Sequence, residues 1–322
     1  TFHNYVLINQ GTQTLANTYF GVWVDADVGT ATDDYVGCDV QRGLGYSYNG
    51  DAVDEPSSSS QGYGENPPAV GIDFFEGPYQ DVDSIDNPLT SNFSNAIDSL
   101  GIPYEGIGIG YGDGIVDNER FGMRRFVYYN NSGNQINGEP STPLHFYNYM
   151  NGIWKNGQKM AYGGDGVSAA TGANLDIEAD YMFPGDTDPF NWGTSGTSVD
   201  PWTEVTAGNQ PLDRRFIQAA GPLTLEPGDY NNITMGVVWA RATAGDPEES
   251  VKLMRIADDK AQALFDNCFE IVSGPDAPDV TVQELENELI LYLTNDNPLS
   301  NNYQEDYLQF DPGIPKFDIN GD

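Results

Sequence analysis

Between Tyr19 and Asp39 the chain reads YFGVWVDADVGTATDDYVGCD. Tyr19, Gly21, Trp23 and Asp25 alternate with Phe20, Val22 and Val24, the two-residue period of a strand with distinct faces. Asp25, Asp27, Asp33, Asp34 and Asp39 then arrive around a glycine-containing turn near 28–32, and a second strand-like run, Tyr35 to Tyr48, follows at once. The order is strand, acidic turn, strand. Five carboxylates this close repel one another unless positive charge sits among them, and the stretch itself holds no Lys or Arg. A hard, oxygen-seeking cation, Ca²⁺ above all, is therefore the expected partner of these five residues. The alternative is a solvated acidic hairpin loop.

Charge narrows the function classes. Against 49 Asp and Glu stand 13 Lys and Arg, a formal net charge of −36. Such a surface repels nucleic acid and anionic membranes, so neither is an expected partner. Bound cations or a salty medium make the excess tolerable. With His3 and His145 the only histidines, a zinc site or a His-based triad lacks material. His145 reads as a packing or hydrogen-bonding residue. Cys38 and Cys268 are an even pair that a secreted chain could close as a disulfide, or two thiols acting as small hydrophobes. No apolar run reaches the length of a membrane span, so membrane insertion is not expected. Thr1 to Gln10 reads as the middle of a strand and not as a signal peptide, which suggests an excerpt from a longer, processed chain.

Taken in order, 1–80 is strand country: Phe2–Ile8, Thr18–Val24, Tyr35–Tyr48 and Val70–Phe75, with a polar excursion at Asp54–Pro68. The glycine-rich Gly106–Gly114 lacks the GK[ST] of a phosphate loop. Asp113, Asp117 and Glu119 resemble the second half of a calcium loop, with acidic turn as the other reading. Phe121–Tyr129 predicts a strand, and Ser141 or Thr142 followed by Pro143 predicts a helix start. From Tyr162 to Pro211 the chain is rich in Gly, Asp and Pro. Asp186 and Asp188 form a further candidate cation or turn site there. Trp192 and Trp202, with Tyr63 from the earlier loop, are candidate glycan contacts by ring stacking; the other reading is that the tryptophans pin the loop to the core.

Arg214–Ala219 and Ile233–Arg241 predict strands separated by a turn within Leu223–Asp229. Asp246 as N-cap, Pro247 as the first helical residue and Glu249 completing a capping box predict a helix. Its apolar stripe is Val251, Met254, Ala257, Ala261, Leu264, Phe265 and Cys268. Composition breaks at Ser273–Pro278. The expected fold is mainly β: a large, jelly-roll-like β-sandwich with long loops and one C-terminal amphipathic helix over 1–274. The beginning of an immunoglobulin- or fibronectin-III-like module follows over 275–322.

The blocks DDYVGCD with GYSYNGD, NPPAVGIDFFEGP, DGIVDNERFGM, YNYMNGIWKNG, FPGDTDPFNWGT, DRRFIQAAGPLTLEPG, ITMGVVWARA and DDKAQALFDNCF resemble a group of large secreted proteins of Bacteroidetes. Such proteins are commonly exported by the type IX secretion system with a C-terminal sorting domain. The resemblance implies export, an extracellular or cell-surface location and a longer parent chain, and it brings no catalytic residues. Bacteroidetes O-glycosylate a short Asp-(Ser/Thr)-aliphatic motif, which implies Ser84 and Ser99 as candidate sites. The expectation is a non-catalytic structural or adhesive module stabilised by calcium. Its expected partners are other domains of its own chain, copies of itself in a surface assembly or filament, or glycans. A glycan-binding module is the alternative. A glycosidase is the residual one, because no pair of carboxylates stands out.

Overall fold

The computed structural model describes residues 1–58, 60–98, 101, 104, 108–269, 278–286, 288–294, 296–298, 300 and 303. Its longer half-buried strands lie where two-residue alternation and β-branched or aromatic residues coincide. In chain order they are β1 (Phe2–Ile8), β2 (Leu15–Val24), β3 (Asp34–Asp39), β4 (Leu44–Asn49), β5 (Val53–Asp54), β6 (Gly64–Glu65) and β7 (Ala69–Glu76). β8 (Arg125–Asn130), β9 (Ala161–Tyr162), β10 (Asn174–Glu178), β11 (Arg214–Leu225) and β12 (Tyr230–Ala240) follow, with β13 (Asp279–Glu284) and β14 (Leu289–Thr294) near the end. Among the described residues, three α-helices, α1 (Pro143–Met150), α2 (Glu204–Ala207) and α3 (Pro247–Asp266), are interspersed. The run expected as one strand from Tyr35 to Tyr48 is the hairpin β3–β4, turned at Val40–Gly43.

The chain divides into two compact units, Thr1–Phe265 and Asp266–Asp322, a boundary earlier than the compositional break at Ser273. In the first unit the described strands form an antiparallel sheet of order β1-β12-β7-β4-β3 and a second of order β2-β11-β8, and neither closes into a barrel. The second unit contains the antiparallel pair β13–β14.

The two large sheets pack face to face. Ile72 and Phe74 of β7 share a core with Phe126 and Phe216 of β8 and β11, and Gln218 donates to the Ile72 carbonyl at 3.1 Å. Gly45 allows the close approach: a Cβ there would lie 2.7 Å from Phe126 and 2.9 Å from Phe216. On its other face the five-stranded sheet carries α3, whose Val251 and Met254 pack with Leu44, Tyr46, Tyr48 and Val238. On the far face of the three-stranded sheet lies α1, with Tyr149 stacked on Tyr129 at 5.4 Å between ring centroids. Thr142 caps α1 and Pro143 opens it, as its sequence predicts.

Covered on both faces, β3 and β4 are buried at every residue. One side of the sheet pair is also closed. The Phe126 amide donates to Asp180 O and the Met182 amide to Phe126 O, both at 3.0 Å, while the Cys38 amide donates to Phe183 O at 3.3 Å. The segment 180–183 thus joins the edge of one sheet to the edge of the other.

Candidate metal centre

The register of two strands assembles the principal acidic group. Phe216 pairs with Val24 and Ile217 with Trp23, so continuing that ladder sets Arg215 opposite Asp25 and Asp213 opposite Asp27. Asp27 adopts φ 40°, a left-handed conformation that non-glycine residues seldom hold. One carboxylate oxygen from each of Asp25, Asp27 and Asp213 lies within 4.8 Å of the others. Burial, reinforced by the charges of Asp25 and Asp213, raises the Asp27 carboxyl above its ordinary range.

The cation missing from the local sequence comes from elsewhere in the chain. Arg215 meets Asp25 at 3.0 Å, Glu139 at 2.9 Å and Asp213 at 3.7 Å. The inference from an absent Lys or Arg therefore holds along the sequence and fails in space. One guanidinium nevertheless faces four carboxylates, and Oδ1 of Asp25 and Oδ1 of Asp213 are buried without a hydrogen-bond partner.

The other three aspartates of the stretch go to two further places, so the five do not form one site. Asp33 and Asp34 face Asp54 across the loop. Burial, with Asp54 next, pushes Asp33 up to about 6, and burial pushes Asp34 up to about 8 with Asp33, Asp27 and Asp54 adding to it. Asp34 Oδ2 accepts the Val28 amide at 3.0 Å while its Oδ1 has no partner. Asp54 is tied to the Thr30 and Tyr63 amides at 3.0 and 2.6 Å.

Asp39 points the opposite way, under α3, and is neutralised by Arg42 and Arg255, each at 3.0 Å. It is a salt-bridge residue and not a candidate ligand of the Asp25 group.

Among the described residues, Asp113, Asp117, Glu119, Asp186 and Asp188 are not part of a group of three acidic side chains close enough to share an ion. Asp113 accepts the Ile115 amide and the Asn118 side chain, both at 2.8 Å. Asp117 accepts the Asp83 and Ser84 amides at 2.7 and 2.8 Å, and buried Glu119 accepts the Asn87 amide. Asp188 binds the Trp192 and Gly193 amides at 2.8 Å each. Backbone N–H groups do for these carboxylates what a cation was expected to do. Asp186 is exposed and lines a cavity of about 250 Å³ with Asp188, Asp200, Tyr162 and Tyr181.

The candidate glycan contacts separate. Trp192 is 5% exposed and Trp202 3%; Trp202 donates to Gly164 O at 3.1 Å and meets Phe183 edge-on at 5.0 Å. Both pin the long loop to the core and are withdrawn as sugar platforms. Tyr63 is exposed, beneath Arg241 at 5.5 Å. The cysteines are free thiols, which corrects the disulfide expectation. Cys38 lies wholly buried with its Sγ 3.3 Å from Met182 O, whereas Cys268 is exposed past the end of α3. Ser84 is exposed in the irregular segment that follows β7; Ser99 lies outside the described residues. His145 accepts the Ser141 amide at 3.3 Å, a hydrogen-bonding role.

Asp213, Arg215, Asp54, Asp73 and Asp258 escaped the sequence reading. Only the DRR triplet at 213–215, at the start of an expected strand, carried a usable signal, because pairing that strand with the acidic stretch brings both charges to it. No family model, no curated protein and no solved structure matches the chain.

Proposed function

We propose that this chain is a non-catalytic structural or adhesive module of an extracellular, cell-surface protein, stiffened by a calcium ion held by Asp25, Asp27 and Asp213. The observation that carries the reading is the convergence of these three carboxylates, with an oxygen of Asp25 and one of Asp213 lacking any hydrogen bond, beside a single guanidinium. Oxygen-only donors of this charge suit calcium. Elsewhere Asp113, Asp117, Glu119 and Asp188 are committed to turn amides and Asp39 to two arginines, an economy suited to a rigid building block. The face-to-face packing of the two large sheets supports a β-sandwich for the first unit, and the β13–β14 pair is compatible with the start of an immunoglobulin-like module. Export by a type IX system, attachment to the cell surface, self-assembly and glycosylation at Ser84 belong to the same proposal.

Thermal unfolding in chelator and in calcium tests it. A cation bound only by the folded state adds about 2.7 kcal/mol at a hundredfold excess over its Kd. The melting temperature should rise with calcium, and D27N or D213N should abolish the rise that depends on this site. A melting temperature indifferent to both calcium and chelator would sink the reading.

The glycan-binding alternative moves from the buried tryptophans to the cavity at Tyr162, Asp186 and Asp200. A glycan screen with Y162A as control separates it. Calcium-stabilised protein that binds no sugar favours the structural role.

A further inference from the structure

Beneath α3 lies a second group of carboxylates that the Asp25 centre does not involve. The helix can be laid on the sheet residue by residue. A Cβ on Gly71 would meet Met254 Sδ at 2.9 Å, and Gln262 donates to Phe75 O at 3.4 Å. From Met254 to Gln262 the helix rises about 12 Å, and from Gly71 to Phe75 the strand runs about 13 Å. Midway along each are Asp258 and Asp73. Asp73 shares the helix-facing side of β7 with Gly71, because strand side chains alternate. Across the sheet it pairs with Leu44, which pairs in turn with Asp39.

Their surroundings leave both carboxylates short of partners. Asp73 is 1% exposed and neither of its oxygens has a hydrogen-bond partner. The Phe74 amide beside it is committed to Gly43 O at 3.4 Å. Asp258 is 2% exposed with Oδ1 unpartnered. The nearby cations are spoken for: Arg42 binds Asp39 at 3.0 Å and Asp259 at 2.8 and 3.0 Å, and Arg255 binds Asp39 at 3.0 Å. Asp39 and Asp259 therefore balance the two arginines. Asp73 and Asp258 remain, two buried negative charges facing each other between helix and sheet.

We propose that Asp73 and Asp258 bind a hard divalent cation, calcium or magnesium, that clamps α3 to the five-stranded sheet. A dication matches the residual charge, and carboxylate oxygens are its preferred donors. Without a bound cation the pair resists ionisation: burial, then Asp258, drives Asp73 well above the usual carboxylate range, and burial pushes Asp258 up to about 7. Protons are thus the competing occupants.

Equilibrium dialysis of the full chain at pH 7.5, followed by metal analysis, decides between them. The unmutated chain should bind one calcium or magnesium ion more than D73N or D258N, while D213N, which disables the Asp25 centre, keeps that ion. Equal metal content in the unmutated chain, D73N and D258N would overturn the proposal in favour of a proton-held pair. Loss of metal in D73N with none lost in D213N would support this clamp and count against the Asp25 centre. If the Asp73 and Asp258 variants fail to fold, amide exchange in D213N takes their place. Slowing across 254–262 on adding calcium or magnesium supports the clamp, and exchange indifferent to both ions refutes it.

Discussion

Glu204 and Arg214 illustrate what a buried charge does in this protein. Both are almost fully buried, joined at 2.8 and 2.9 Å, with the Val36 amide and Asn209 also bound to the carboxylate. The pair anchors α2 and the start of β11 to β3. Removing one partner strands the other charge in the interior, which costs about 3–5 kcal/mol. E204A should lose stability on that scale in urea unfolding, and a chain with E204M and R214M together should lose less than E204A alone. Trp202 makes a parallel case. With its ring against Phe183 and Tyr162, W202A should cost about 3–5 kcal/mol of stability. A W202A chain of undiminished stability would return that tryptophan to consideration as a binding residue.

At the scale of elements, α3 is the helix whose start and buried face are written most plainly. Asp246 accepts the Glu248 amide at 3.0 Å and Pro247 begins the helix. D246A should destabilise the first unit by about 1 kcal/mol, read as a shift in the urea midpoint at constant slope. The apolar stripe was legible at Val251 and Met254, which are buried. It misled at Cys268, which follows the helix, and it passed over Asp258 on the buried face. Helical periodicity marks apolar positions and has no means of marking a carboxylate whose partner lies on a strand far away in sequence. The hairpin β3–β4 was harder to read for a related reason. Strands covered on both faces lose the alternation that identifies half-buried ones.

For the whole molecule, acid excess couples folding to pH. Asp33 and Asp34 titrate near 6 and 8 when folded, against about 3.9 for an aspartate in the unfolded chain. Between those values the folded state holds protons that the unfolded state has released. Stability is therefore greatest below pH 4 on their account and is lost as pH climbs to about 8, by at most about 1.4 kcal/mol per pH unit for buried Asp34 and by less for Asp33, whose charge solvent screens. Repulsion among the remaining carboxylates works in the same direction. In chelator, the urea midpoint should fall from pH 5 to pH 8, and D34N should flatten the decline. A midpoint that rises over this range would contradict the burial of Asp34 as an isolated acid.

The sequence by itself determined the mainly β character, most strand positions, the starts of α1 and α3 and the concentration of acid between Asp25 and Asp39. These follow from local rules: side-chain period, the backbone geometry of Pro, and side chains that bond amides a few residues away. Only the tertiary structure decided which acids meet. Strand register put Asp213 and Arg215 beside Asp25 and Asp27, while strand alternation turned Asp39 away from Cys38 toward α3. Turn amides absorbed Asp113, Asp117, Glu119 and Asp188, and packing buried Trp192 and Trp202. The physical reason is that a carboxylate has several possible partners of similar strength: a guanidinium, a backbone amide, a proton or a metal ion. Which one it takes is set by what the fold brings within about 3 Å, a distance that composition and spacing along the chain do not encode.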